Sequence, residues 1–348
     1  MPSTYLQIVQ TACAELGLAQ PSVVIGSTSL QIQQLSALMK RDLRELQQNY
    51  DWTALQAEFD IHVAQPFQTT GTIIQSSYTI SSIPVGGMGD FSGDFGPDFS
   101  LAFGGLDTLL ANPSLFVING AYIPSDTRIV SAIQVGSNII LEIDQPATGS
   151  QTGAAIVIQQ DTYPGPADFD RYQNQTWWDR TNHWALMGPD SPQVDQWHRS
   201  GIVSIGPRRH WRQIGYEGLT QAGGSINNWR IWPPPGATDT PIDLAYEYIS
   251  TTTVLSAAGV PQPTFLADTD FPILDENMFI LGAKWRMWQV KGYDYSAMQQ
   301  EYQDYCDRKY ANDGGAKTLS MSGVRANLLL SSGNVQDGNW PGPTGGGV

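Results

Sequence analysis

Paired carboxylates are the residues of this chain that come nearest to catalysis. Asp168 with Asp170, and Asp268 with Asp270, each set two carboxyl groups at short spacing. Glycoside hydrolysis needs such a pair, one acid protonating the leaving oxygen and the other attacking or activating water. Both pairs stand where elements are expected to begin or end, and there Asp is favoured as a cap or turn former because its short side chain accepts from nearby amides. Other chemistries find less. No Gly-x-Ser-x-Gly elbow is present, and the four histidines, His62, His183, His198 and His210, have no matching thiol or serine context. His183 and His198 lack a Cys or carboxylate at zinc-ligand spacing. Neither a Walker lysine loop nor a dinucleotide fingerprint occurs. The expectation is a binding or assembly protein with no catalytic residue, cofactor or metal, and not an enzyme.

Charge points the same way. With 33 acidic against 18 basic residues in 348, the formal net charge is -15, which disfavours a surface built to neutralise duplex phosphates. The densest basic run, Arg208, Arg209, His210 and Arg212 around Trp211, reads as a solvated strand face or a subunit contact. The segment Pro84 to Gly105 is Gly-rich loop with Asp-Phe steps at Asp90-Phe91, Asp94-Phe95 and Asp98-Phe99. It lacks the terminal bidentate Glu of the helix-loop-helix calcium motif, and exposed Phe on a loop suits contact with a neighbouring subunit. Cys13 and Cys306 read as buried small hydrophobes in a reducing compartment. Without a charged-then-apolar leader or an apolar run of membrane-spanning length, synthesis in a cytosol is expected.

The elements that must position these residues begin with two helices. The first is expected from Ser3 to about Gly17, and the second from Ser27 or Thr28 to Asn49 with the stripe Ile32, Leu35, Met39, Leu43 and Leu46. Alternation then predicts strands at Leu55 to Val63, Thr72 to Ile80, Leu115 to Val117, Thr127 to Val135, Asn138 to Ile143 and Ala154 to Gln159. Gly136-Ser137 is a hairpin signal. Further short strands are expected at Gly201 to Ile205, Trp211 to Tyr216, Trp229 to Trp232 and Leu244 to Ile249. Asp270 as N-cap and Pro272 in the first turn predict a helix onward to Lys291-Gly292, and Asp294 restarts helix until Asn312-Asp313. The remainder, poor in apolar residues, reads as an arm anchored by Leu328, Leu329 and Trp340. The fold class is therefore α+β: a helical hairpin and C-terminal helices forming a bundle, plus an antiparallel β domain.

The stretch Asp168 to Pro192 alternates aromatic and ionic side chains and then meets turn residues, the mark of chain packed into a sheet edge and released at a corner. Asp and Arg beside Trp make local charged hydrogen bonds that lock a turn.

A resemblance follows from an ordered set of motifs: Tyr50-Asp51-Trp52, Asp168-Phe169-Asp170-Arg171, Trp178-Asp179-Arg180-Thr181 and Trp184-x-Leu186-x-Gly188-Pro189-x-Ser191-Pro192. Tyr246 to Ser250, Leu281-Gly282-x-Lys284-Trp285-Arg286, Lys291-Gly292-x-Asp294-Tyr295 and Asp313-Gly314-Gly315 complete it. Over residues 1 to 65 and 160 to 320 the chain resembles the neck, or head-to-tail adaptor, proteins of tailed bacteriophages, the group that includes the tail tubular proteins. The resemblance implies an adaptor body at 1–65 and 160–315, with an extended arm at 316–348; the segment 66–159 departs from the simplest family pattern and looks like an inserted β module, and Trp178, Asp179 and Arg180 would then be a packing and hydrogen-bonding clamp where the chain leaves that module and re-enters the body. The resemblance also implies a ring of about twelve copies, a dodecamer, closed by contacts repeated around an axis. One face would meet the portal protein and the other the tail or nozzle protein, with DNA passing the lumen without sequence-specific binding, no membrane partner, and a place in the virion neck. Its assembly residues would be Trp52, Arg171, Trp178, Asp179, Arg180, Trp184, Trp285, Leu328, Leu329 and Trp340. Two other readings stand beside it: a tail-associated peptidoglycan hydrolase using Asp168, and a β-rich receptor-binding module.

Overall fold

A computed structural model describes residues 3–63, 66–84, 106–200, 209–215, 227–234 and 241–313. The loop expected at 85–105, the strand at 201–205, Arg208, Leu328, Leu329, Trp340 and the rest of the C-terminal arm lie outside these. The protein is an α+β chain. Its helices are α1 (Tyr5–Glu15), α2 (Leu30–Asn49), α3 (Leu106–Ala111), α4 (Pro192–Arg199), α5 (Glu276–Lys291) and α6 (Ser296–Asp313). Its strands are β1 (Gln56–Val63), β2 (Phe67–Ile73), β3 (Thr79–Pro84), β4 (Phe116–Gly120), β5 (Thr127–Val135), β6 (Asn138–Ile143), β7 (Gln151–Gln160) and β8 (Thr162–Pro164). There follow β9 (Phe169–Tyr172), β10 (Trp178–Asp179), β11 (Trp184–Ala185), β12 (His210–Ile214), β13 (Asn228–Trp232), β14 (Ile242–Ser250), β15 (Val254–Leu255), β16 (Pro261–Gln262) and β17 (Phe271–Pro272). Among the described residues no helix is long and apolar enough to cross a membrane.

Two compact units divide the described residues. Of the described residues, the first draws on 3–57, Asp168–Gln173 and 247–313. In it α5 is the helix against which α1, α2 and α6 each pack. Ile8, Val9 and Cys13 of α1, Leu35, Met39 and Leu43 of α2, and Met278, Phe279 and Ala283 of α5 share one buried core. A capping box starts α1, with Thr4 rather than Ser3 as the cap: its hydroxyl accepts from the Gln7 amide while the Gln7 side chain accepts from the Thr4 amide.

The C-terminal helix does not begin at Asp270. Asp275 caps α5 by accepting from the Asn277 amide, and Phe271-Pro272 pairs with β15 as a strand. The carboxylate of Asp270 instead accepts from the amides of Leu266 and Ala267, at 2.7 Å each. Its carbonyl takes the Tyr5 amide at the start of α1. Proline at a first helical turn and proline in a short edge strand satisfy the same local rules, and loop hydrogen bonds decide between them. Gly292, at φ 78°, ends α5 in the left-handed conformation that disfavours other residues.

The second unit draws on Glu58–Ala167 and Asn174–Tyr246. Strands β2, β3, β6, β5, β4 and β7 close into a barrel in that order, filled by Ile73, Ile80, Ile118, Leu141, Ile156 and Ile158 among others. The single strand expected at Thr72 to Ile80 is two, turned at Gln75 to Ser77 so that Ile73 pairs Ile80. That turn is held by Ser76 and Ala147, whose backbones bond across it. Gly71 faces inward with no room for a methyl group beside Ile80 and Ile83, which explains a glycine in mid-strand. The compact units group the barrel with 174–246. Buried charges tie it there. Arg128 on β5 bonds Asp161 at 2.6 Å, and Asp161 and Asp195 both pair Arg230 on β13. Asp126 pairs Arg199 of α4.

Candidate functional site

The sequence motifs converge most closely at the C-terminal end of α2. Arg171 of β9 donates from Nη2 to the carbonyls of Gln47 and Tyr50, both at 3.1 Å. The same guanidinium holds Asp51 at 2.7 Å and Asp170. The last carbonyls of a helix have no intrahelical donors and carry partial negative charge, so a planar cation there is favoured. Trp52 is buried, its Nε1 donating to the Leu46 carbonyl at 2.8 Å. Tyr50 stacks on Tyr310 with ring centroids 4.8 Å apart, and the Thr53 amide donates to Asp313 at 2.7 Å. The end of α2 is thereby fixed to β9 and to the end of α6. Replacing Arg171 by alanine is expected to lower stability by about 1.5–3 kcal/mol in urea unfolding, and Arg171→Lys to recover less than half, because lysine keeps the charge and loses the fork.

Trp285 is buried on α5 with the Arg286 guanidinium 4.4 Å over its ring. Its neighbour is the most buried ion pair of the first unit: Arg286 bonds Asp42 at 2.6 Å, and Tyr302 donates to the same carboxylate at 2.8 Å. Burial pushes the Asp42 carboxyl up to about 6 from 3.8, with Arg286 pulling it partly back. Gly282 lies against that carboxylate, where any Cβ would overlap it.

In the second unit Trp177 and Asp179 are buried while Trp178 is only partly buried and Arg180 exposed, the period-two alternation of extended chain. Asp179 accepts from the amide and side chain of Asn182, closing the turn between β10 and β11. Trp184 pairs with Asp179 across that turn, its Nε1 buried with no hydrogen-bond partner among the described residues. The Arg180 side chain is 47% exposed and meets Glu58 and Asp60 near the surface. A half-exposed ion pair adds little, because water screens it and two side chains must be ordered. Arg180→Ala is therefore expected to cost less than about 1 kcal/mol in the same unfolding measurement.

Trp177 is the aromatic residue that sequence reading passed over. It lies between Trp211 and Tyr246, with centroids at 4.5 and 4.1 Å and planes within 20°, while Trp229 meets it edge-on. Three further residues, Asp190, His198 and His210, gather beside α4. They come from a turn, a helix end and a strand start, so no fixed spacing announces them. Helix α4 itself was hidden behind the turn-like Ser-Pro pair. Ser191 caps it, accepting from the Val194 amide.

The proposed carboxylate pairs are engaged in folding. Asp168 accepts from Tyr248 and Ser250, Asp170 pairs Arg171, and Asp268 accepts from the amides of Val24 and Ile25. The basic run likewise turns inward: Arg209 donates to the Pro233 carbonyl and Arg212 to Asp195. No known family model matches the sequence, and no curated protein matches it.

Proposed function

We propose that this chain is a structural virion protein of tailed bacteriophages, a head-to-tail adaptor that closes into a ring of about twelve copies between portal and tail. The observation that carries the reading is the junction at the end of α2. Tyr50-Asp51-Trp52, Asp170-Arg171 and the end of α6 are motifs of the resemblance from distant parts of the chain, and they meet there through Arg171, Tyr310 and Asp313. Motifs that carried only chance similarity would have no reason to share one structural job. The barrel adds support: Ile133 and Ile140 are cross-strand partners on β5 and β6 and, with Val135, stay exposed. An apolar outer face of this kind suits a neighbouring subunit or the tail protein. What weighs against the hydrolase alternative is that Asp168 and Asp270 each accept hydrogen bonds that hold loops in place.

In this role the portal binds one face, the tail or nozzle protein the other, and DNA slides through a lumen whose acidity repels phosphates. Synthesis takes place in the host cytoplasm and the finished protein sits in the virion neck. Size-exclusion chromatography with light scattering and negative-stain imaging test it, on the chain alone and mixed with the portal of the same phage. Rings in either sample are expected. A monomer that forms no ring with portal overturns the proposal, and a lumen lined mainly by Lys and Arg in a cryo-EM map overturns the acidic-channel part.

A further inference from the structure

Four buried or nearly buried carboxylates belong to the second unit, and one differs from the rest. Asp126, Asp161 and Asp195 each pair with arginine. Asp190, whose side chain is 12% exposed, has among the described residues only two imidazoles as charge partners: His198 Nδ1 at 3.1 Å from one oxygen and His210 Nδ1 at 3.3 Å from the other. Its neighbours are held by guanidinium groups, and Asp190 is held by two imidazoles, which are also metal donors.

We propose that Asp190, His198 and His210 form a binding site for one divalent transition-metal ion, with zinc the best fit. Two imidazoles and a carboxylate are a donor set that suits zinc and its first-row neighbours and does not suit calcium or magnesium, which want oxygen ligands. Ligand atoms about 2.0–2.1 Å from a tetrahedral zinc stand roughly 3.4 Å from one another. The two Nδ1-to-carboxylate distances are already near that, and one ligand atom from each residue lies within 4.8 Å of the others. Small rotations of the imidazoles close the rest.

The three groups are carried by well-fixed backbone. The Asp190 amide donates to the Trp211 carbonyl at 3.0 Å, and beside it the Trp211 amide donates to the Met187 carbonyl and the Met187 amide to the Arg209 carbonyl. His198 sits in the last turn of α4, whose cap, Ser191, follows Asp190 directly. His210 opens β12, held along its length by β13. The imidazole planes lie 60° apart with centroids at 4.5 Å, so the rings converge without stacking face to face. The His198 side chain is 9% exposed and that of His210 19%. The site is thus screened on most sides and reachable on one, and its three protein ligands leave a fourth position for water. Bound metal would pin α4 to β12. It is independent of the assembly reading.

The test uses the full chain without an affinity tag, stripped with chelator and titrated with zinc by calorimetry while circular dichroism follows folding. One zinc per chain is expected. His198→Gln and His210→Gln should each weaken it by on the order of 100-fold or more, and His62→Gln, placed elsewhere, should leave it unchanged. Zinc at about 100 times its Kd should raise the Tm of the wild-type chain by about 5–10 °C over the chelated protein. That shift decides the matter if either variant fails to fold. No zinc uptake and no shift by the wild-type chain overturns the proposal. So does uptake that His198→Gln and His210→Gln retain in full.

Discussion

Arg286→Met will destabilise the helical unit by about 3–5 kcal/mol at pH 8, because it leaves the Asp42 carboxylate buried without its cation. Asp42 is fully buried and keeps only Tyr302 as a side-chain donor once Arg286 is gone. The pH dependence has a definite sign. The folded-state value of Asp42, about 6, lies above its ordinary 3.8. Its contribution to stability is therefore complete below about pH 3.8 and is lost as pH rises through 6. Removing Arg286 moves that value further upward, so the carboxyl stays neutral to a higher pH. The deficit of the variant relative to the wild-type chain must then shrink as pH falls from 8 toward 5. Urea unfolding followed at the helical circular-dichroism band, at several pH values, measures it. A deficit under about 1 kcal/mol, or one that grows on acidification, contradicts the account.

The second large effect is expected at Trp177. Trp177→Ala should cost about 3–5 kcal/mol, since it empties the space between Trp211 and Tyr246 and removes an edge contact to Trp229. Trp229 is itself fully buried and donates its Nε1 to the Tyr246 hydroxyl at 2.7 Å, so the surrounding rings have little freedom to collapse into the cavity. Near-ultraviolet circular dichroism should lose most of its aromatic signal in the same variant. Trp178→Ala is the control: its side chain is only partly buried, and its loss should cost less than half as much. Equal effects at the two positions would mean that the ring stack does not dominate this region.

These two residues also mark where sequence reading stops. The helices α1 and α2 were legible because a 3.6-residue apolar period and a polar cap are local properties, and β5 and β6 because alternation and a Gly-Ser turn are local too. Trp52 and Arg171 could be singled out for the same reason, each sitting at a visible element boundary. The burial of Trp177 and not Trp178 was not legible, because two adjacent tryptophans differ only in which face the strand buries, and the partner sheet decides that. The start of α5 at Asp275 instead of Asp270 was decided by loop amides that Asp270 had already claimed.

What the sequence determined by itself was the class of the fold, the identity of most helices and strands, and the poverty of ordinary catalytic motifs. Tertiary structure alone decided that the strands at 67–160 close into a barrel, that Asp126, Asp161 and Asp195 are neutralised by arginines remote in sequence, and that Asp190, His198 and His210 face one another. The physical reason is one of range. Caps, turns and periodicity act over a few residues and leave their mark in order along the chain. Charge pairing and ligand geometry act through space, between residues whose separation in sequence carries no trace of their contact.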